Sequence, residues 1–339
     1  MTNLTRLGDD RGKPLLAALD ERFLSFVSRL NGPLRTHALR RSTYTNEPGA
    51  EAFGGPSTMN PGVTLTPWLF WELTSPLDDA SFLSLAEGGS MVVISSALLD
   101  HLVDGQAVSP EDTLLLHRLL HERGIATLRA CLGGGSPFWR TAERLIAEHL
   151  EGLALERGMR AALGAFSYPD FQRMVKAKFS PIVLTMSAYL TATERGDLQE
   201  PIENSIKHLA VASQLLDDLG DWEEDMRGGR LTYFLSCAVA PREAARLEAG
   251  LAEEVEERIR SSWLDVDHLN LAAEWLDRAR ASVEGIPCPN WIEYLEGFRS
   301  LTLEHIRQST AGHLVQTLDP LVARGAKQDP GELEEDGAV

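Results

Sequence analysis

The chain has little of what marks several common binding classes. Three cysteines in 339 residues, Cys131, Cys237 and Cys288, stand far apart without a CxxC spacing. This excludes a disulfide framework or a zinc knuckle and points to a reducing cytoplasm. Basic residues are few: 32 Lys and Arg face 50 Asp and Glu, a net charge of −18. Nucleic acid and anionic membrane surfaces both reward basic residues in number, so neither is an expected partner. The opening MTNLTRLGDDRGK holds no apolar core of signal-peptide length, and the longest apolar stretches, such as MVVISSALL at 91–99, are too short to span a bilayer. Alternating β-branched patterns are nearly absent as well, which argues against sheets.

What remains is apolar spacing at three- and four-residue steps along almost the whole chain, which predicts an all-α fold in a single domain over 1–327. The expected helices are 12–31, 64–74, 89–104, 109–132, 137–160, 166–196 with a kink at Pro181, 201–227, 231–239, 241–262, 265–285 and 289–318. Gly105, the run at 133–135, Gly228-Gly229, Pro241 and IPCP at 286–289 punctuate them. The turn-rich segment 41–63 reads as irregular, and 328–339 as a disordered acidic tail.

The concentration of charge in QLLDDLGDWEEDMRGGR, 214–230, needs a cause: six acids fall within nine positions. At about 100° per residue, Gln214, Asp217, Asp218, Asp221 and Asp225 share one face, opposite Leu215, Leu219, Trp222 and Met226. Carboxylates four apart repel by some tenths of a kcal/mol per pair. The glycine pair marks a helix C-terminus, whose dipole disfavours each anion by a further ~0.3–1 kcal/mol. A second apolar helix, SMVVISSALLDHLVDGQ at 90–106, also ends in paired acids, Asp100 and Asp104. An acidic cluster alone is most often a solvated face, but two apolar helices ending this way call for a counter-charge. Oxygen ligands without nearby His or Cys partners suit a hard cation, Mg²⁺ above all, together with a phosphate group. His101, His117 and His121 read as structural or surface residues rather than zinc ligands.

At these residues the sequence resembles the class I isoprenoid synthase superfamily of trans-prenyl diphosphate synthases, terpene cyclases and squalene/phytoene synthases. QLLDDLGD fills every specified position of the QxxDDxxD pattern of prenyl diphosphate synthases. Its Asp217, Asp221 and Asp225 also align with the cyclases' metal-binding triad, with Asp in place of the middle hydroxyl residue. DHLVD at 100–104 keeps the outer acids of the first motif and carries His101 at the second position. Lys178, followed by Phe179, sits where the synthases have a Lys-Thr pair, with Lys176 two positions earlier as the alternative. Arg230 and Thr232 resemble the basic loop after the second motif.

The resemblance implies a helical bundle around a central cavity, acting on a prenyl diphosphate. Asp100, Asp104, Asp217, Asp218, Asp221 and Asp225 would hold Mg²⁺, and Lys178, Arg227 and Arg230 would stabilise the departing diphosphate. Gln214 would contact substrate, while Phe70, Trp71, Phe179, Tyr189, Tyr233 and Trp291 are the aromatic candidates to line a dry carbocation pocket. A break at Ser180-Pro181 could expose a carbonyl to the cation. The RRG and GKxxRP motifs that serve a second diphosphate are absent; NGPLRTHALRR at 31–41 has Pro33 where the lysine would be. That departure favours a terpene cyclase over a prenyltransferase coupling two substrates. A non-catalytic helical partner of such an enzyme and an unrelated acidic scaffold are the other readings. Homodimers are common among the enzymes it resembles, and the sequence itself leaves the oligomeric state, homodimer included, open.

Overall fold

The computed structural model describes residues 10–40, 52–161, 167–240 and 252–325. Among these the architecture is all-α; the only extended pairing is a single bridge between Arg40 and Ala52. The helices are α1 Gly12–Ser28, α2 Gly32–Ala38, three one-turn helices α3 Pro61–Thr64, α4 Thr66–Leu69 and α5 Trp71–Thr74, then α6 Asp79–Val103, α7 Pro110–Leu132, α8 Phe138–Ala161 and α9 Tyr168–Lys178. They continue with α10 Ser180–Ala192, α11 Gln199–Gly220, α12 Trp222–Arg227, α13 Tyr233–Ala238, α14 Ala252–Ser262, α15 Leu264–Ser282 and α16 Pro289–Gly325. The expected tail at 328–339, residues 41–51 of the turn-rich 41–63 segment and residues 241–251 of the helix expected over 241–262 lie outside the described residues.

Two helices organise the rest. α6 packs against α1, α7 and α10, and α11 against α9, α10 and α15, so α10 separates and aligns the two acid-bearing helices. Ser180 to Leu190 of α10 are all buried, as expected for a helix with no charged residue on any face. Its hydroxyls bond back to the preceding turn, Thr185 to the Pro181 carbonyl and Ser187 to that of Val183.

α6 starts ten residues before the helix expected from the sequence. Asp78 caps it by accepting from the Ala80 and Ser81 backbone N–H groups, and the helix runs through Gly88-Gly89 rather than stopping there. Those glycines serve packing: a Cβ on Gly124 of α7 would lie 2.8 Å from the Gly88 carbonyl, and one on Gly88 3.1 Å from the Gly124 carbonyl. At its full length α6 passes the length and composition test for a membrane span, contrary to the sequence expectation, yet 78% of its most apolar window is buried inside the protein. Met91, Val92, Ile94 and Leu98 are each 1% exposed or less, and burial of such side chains stabilises by about 1.5–3 kcal/mol each.

Other boundaries shift for local reasons. The chain breaks at Phe179 rather than at Pro181, because a proline within the first turn of a helix lacks only an N–H that would have no partner there. The acidic helix expected over 201–227 divides at Asp221, where φ −107 and ψ 8 leave the α region, though Asp225 N–H still bonds the Asp221 carbonyl. Gly124→Val should destabilise the protein by about 1–3 kcal/mol through overpacking. Thermal unfolding checks this, and an unchanged melting temperature would show that the α6–α7 crossing is loose.

Candidate diphosphate and metal site

The last turns of α6 and α11, the C-terminus of α9 and the loop after α12 line one cleft of about 130 Å³. Eight carboxyl side chains face it: Asp100, Asp104, Glu156, Asp217, Asp218, Asp221, Glu224 and Asp225. Among the described residues two cationic side chains, Lys178 and Arg230, line the same cleft. All six acids assigned to metal from the sequence therefore meet in one place.

Lys178 lies between the walls. Its Nζ is 2.9 Å from Asp100 Oδ1 and 2.7 Å from Glu156 Oε2. Burial works against the ammonium, but Asp100 and Glu156 together outweigh it and hold the group above the usual lysine range. Its charge also reaches across to Asp217 on the other wall. Lys176, the alternative donor, sits instead over the Trp275 ring at 4.6 Å and faces a separate hollow on the outside of α8 and α9. Arg230 follows Gly228-Gly229, with Gly229 at φ 67 turning the chain back. Its Nε donates to Asp225 Oδ1 at 2.8 Å and its Nη2 to Glu224 Oε1 at 3.1 Å.

Asp217 is exposed at the edge of the cleft, with Asp221 and Asp225 close by on the same wall. Desolvation, then Asp221 and Asp225, push its carboxyl up to about 6 despite Lys178 and Gln214. Asp218 is buried and points inward, accepting from Gln214 Nε2 at 2.8 Å, with help from the Tyr233 backbone N–H; desolvation still raises it to about 7. Its contacts tie α11 to the start of α13. Asp225 is also raised by desolvation, against the pull of Arg230. The oxygens of Asp100, Asp104 and Glu156 lie within 4.8 Å of one another, an all-oxygen donor set that fits Mg²⁺.

Glu156 was not singled out from sequence. It lies among the many charges of α8, and its distinguishing mark is structural: Gly152, one turn earlier on the same face, lets α8 approach so closely that a Cβ there would meet Ala177 Cβ at 2.9 Å and Lys178 N at 3.0 Å. Phe171, Met174 and Gln106 also line the cleft unforeseen. A second cavity of about 150 Å³ lies beside the site, with Ser96, Leu99, Leu145, His149 and Leu184 in its wall. Leu99 precedes Asp100, and His149 Nδ1 is 3.0 Å from the Lys178 carbonyl. A carbonyl only accepts, so Nδ1 carries the proton and the buried Nε2 is left without a partner.

Several sequence candidates are not brought to the cleft. Arg227 is exposed on α12, 3.5 Å from Glu223, because the helix break and the turn at Gly229 present Arg230 instead. Phe70 stacks on Trp291 at 4.7 Å, Trp71 meets Phe82 edge-on, and Tyr189 donates to the Phe82 carbonyl at 2.8 Å. These residues form the core at the far end of α6, eighteen residues or about 27 Å of helix from Asp100. Phe179 is half-buried at the α9–α10 junction, against the main core. Tyr233 and Gln214 do line the cleft, with Tyr233 stacked on Phe171 at 4.8 Å.

No protein-family model matches the chain, and no curated protein matches it by sequence. Solved structures do. A polyprenyl synthase from Caulobacter crescentus CB15, complexed with calcium and isoprenyl diphosphate, superposes with TM-score 0.67 at 18% identity over 86% of this chain and 95% of its own. A geranylgeranyl pyrophosphate synthase from Lactobacillus brevis ATCC 367 gives 0.68 at 14% identity over 87% and 97%. The geranylgeranyl pyrophosphate synthetase of the archaeon Geoglobus acetivorans gives 0.63 at 15% over 89% and 99%. The chain thus has the class I isoprenoid synthase fold, of the kind found in trans-prenyl diphosphate synthases.

Asp217 and Asp218 retain protons in the folded state at pH values where free carboxyls have lost them. The stability they contribute is therefore present below the ordinary carboxyl range and lost as pH rises through about 6 to 7. The melting temperature of the metal-free protein should fall across that window, and the pair Asp217→Asn, Asp218→Asn should flatten the slope. A wild-type slope unchanged by those substitutions would contradict the assignment.

Proposed function

We propose that the chain is a Mg²⁺-dependent isoprenoid synthase whose first step is ionisation of a prenyl diphosphate. The observation that carries this reading is the joining of carboxylates from two helix ends with Lys178 and Arg230 around one cleft. Such a site suits a metal-bound polyanionic head group. Asp100, Asp104 and Glu156 on one wall and Asp217, Asp221 and Asp225 on the other would hold the metal, which supplies Lewis-acid stabilisation of the departing diphosphate. Lys178 and Arg230 would donate hydrogen bonds to the same oxygens as charge develops on them. Asp218 and Gln214 would act by fixing the α11 wall. The calcium and isoprenyl diphosphate complex of the Caulobacter relative supports both ligands.

For the step after ionisation, the fold relatives and the complete QxxDDxxD pattern favour prenyl transfer to a second isoprenoid. One observation favours cyclisation of a single substrate instead: among the described residues the cleft offers only two cations, both already paired with acids, where a second diphosphate would need more. Incubation of one labelled prenyl diphosphate with and without isopentenyl diphosphate decides between them. Transfer predicts a longer product only when both are present, whereas cyclisation predicts a hydrocarbon or alcohol from the first alone. Three free, separated cysteines support a cytoplasmic setting. The exposed Leu114, Leu115 and Leu119 on α7 support a homodimer through that face.

Asp217→Ala or Asp100→Ala should lower Mg²⁺-dependent diphosphate release by on the order of 10²-fold or more, with helical content by circular dichroism preserved. Turnover at the wild-type rate in both variants would reject the reading.

A further inference from the structure

The position of Lys178 bears on how the cleft is filled. Asp100, Asp104 and Glu156 bring their oxygens within 4.8 Å of one another, the spacing of a cation site. The ammonium of Lys178 is already 2.9 Å from Asp100 and 2.7 Å from Glu156, two of those three groups. Its side chain is 15% exposed and that of Glu156 9%, so the contact is sheltered from solvent and poorly screened. The alternative to this pairing is two carboxylates facing each other at the C-terminus of α6, where the helix dipole adds to the repulsion. An ammonium and a divalent cation cannot both sit against the same carboxylate oxygens without mutual repulsion.

We propose that Lys178 is a built-in counter-ion that competes with the metal for Asp100 and Glu156, so that divalent cation binds weakly until a diphosphate group draws the ammonium away. This rests on the proposed function and adds a regulation to it: metal and diphosphate bind with positive coupling, and Lys178 is the element that couples them. Free metal is thereby kept from locking the cleft before substrate arrives. By reciprocity, whatever factor the diphosphate adds to metal affinity, the metal adds to diphosphate affinity.

The test is isothermal titration of Mn²⁺ into the full chain, with and without inorganic pyrophosphate, for wild type, Lys178→Gln and Lys178→Arg. Lys178→Gln should bind Mn²⁺ alone about tenfold more tightly than wild type or better, and should gain less from pyrophosphate; Lys178→Arg should stay close to wild type in metal affinity without pyrophosphate. Equal or weaker Mn²⁺ binding by Lys178→Gln overturns the proposal. Should Lys178→Gln be unfolded without metal, recovery of the folded circular dichroism spectrum on adding Mn²⁺ reports the same competition, and failure to recover at saturating Mn²⁺ overturns it. A wild-type chain that binds no Mn²⁺ even with pyrophosphate would remove the proposed function itself, an outcome distinct from equal binding by the two proteins.

Discussion

Like-charge repulsion at the ends of two buried helices is the constraint on which the site depends. α6 and α11 both deliver carboxylates to a common cleft at their C-termini, the end where the helix dipole makes an anion least welcome. In water such crowding is mild, but here desolvation adds to it, and the raised proton affinities of Asp217, Asp218 and Asp225 are its electrostatic signature. Lys178 and Arg230 offset part of this charge. The remainder is an electrostatic deficit that a divalent cation carrying a polyphosphate would fill.

The rest of the fold holds these helix ends together. α10, apolar on every side, is the spacer between α6 and α11, and its break from α9 at Phe179 leaves Lys178 at a helix C-terminus, where a cation is favoured. Close helix approaches depend on missing side chains. Gly88 and Gly124 set the α6–α7 crossing, and Gly152 brings α8 onto α9 so that Glu156 reaches the lysine. At the opposite end of α6 the aromatic cluster of Phe70, Trp71, Phe82, Tyr189 and Trp291 is a packed core with no room for substrate. One end of the bundle is thus rigid and dry, while the other is charged and open.

The acidic helix ends were legible in the sequence because a charge cluster after an apolar run is a local pattern, and both QLLDDLGD and DHLVD come to the cleft as that pattern implies. Helical class was legible for the same reason, but helix number was not: eleven were expected, and the described residues form sixteen, with one-turn helices before α6 and breaks at Phe179 and Asp221. Glu156 was not, since a carboxylate in a charge-rich helix looks like any solvated residue until Gly152 fixes which neighbour it meets. Of the aromatic candidates Tyr233 reaches the cleft, whereas Phe70, Trp71, Tyr189 and Trp291 pack at the far end of α6, because nothing in helical periodicity says which end of a long helix a distant ring packs against. Arg227 and Arg230, three residues apart, could be separated only by the break at Asp221 and the left-handed turn at Gly229. The early start of α6, capped by Asp78, was missed; Gly88 within it acts as a contact point against α7.

Solved structures sharing this fold are named as prenyl diphosphate synthases, and among the described residues the cleft carries two cationic side chains, both paired with acids. The two facts pull toward different second steps, but both rest on the head-group cleft between the ends of α6 and α11, and that cleft is the central claim. It is tested most directly by a crystal structure of the chain with Mn²⁺ and pyrophosphate, reading the anomalous signal of the metal. The account predicts metal density between the α6 and α11 carboxylates, bridging both to the pyrophosphate. Metal confined to the outer surface, or a cleft with neither metal nor pyrophosphate at saturating concentrations, would contradict it.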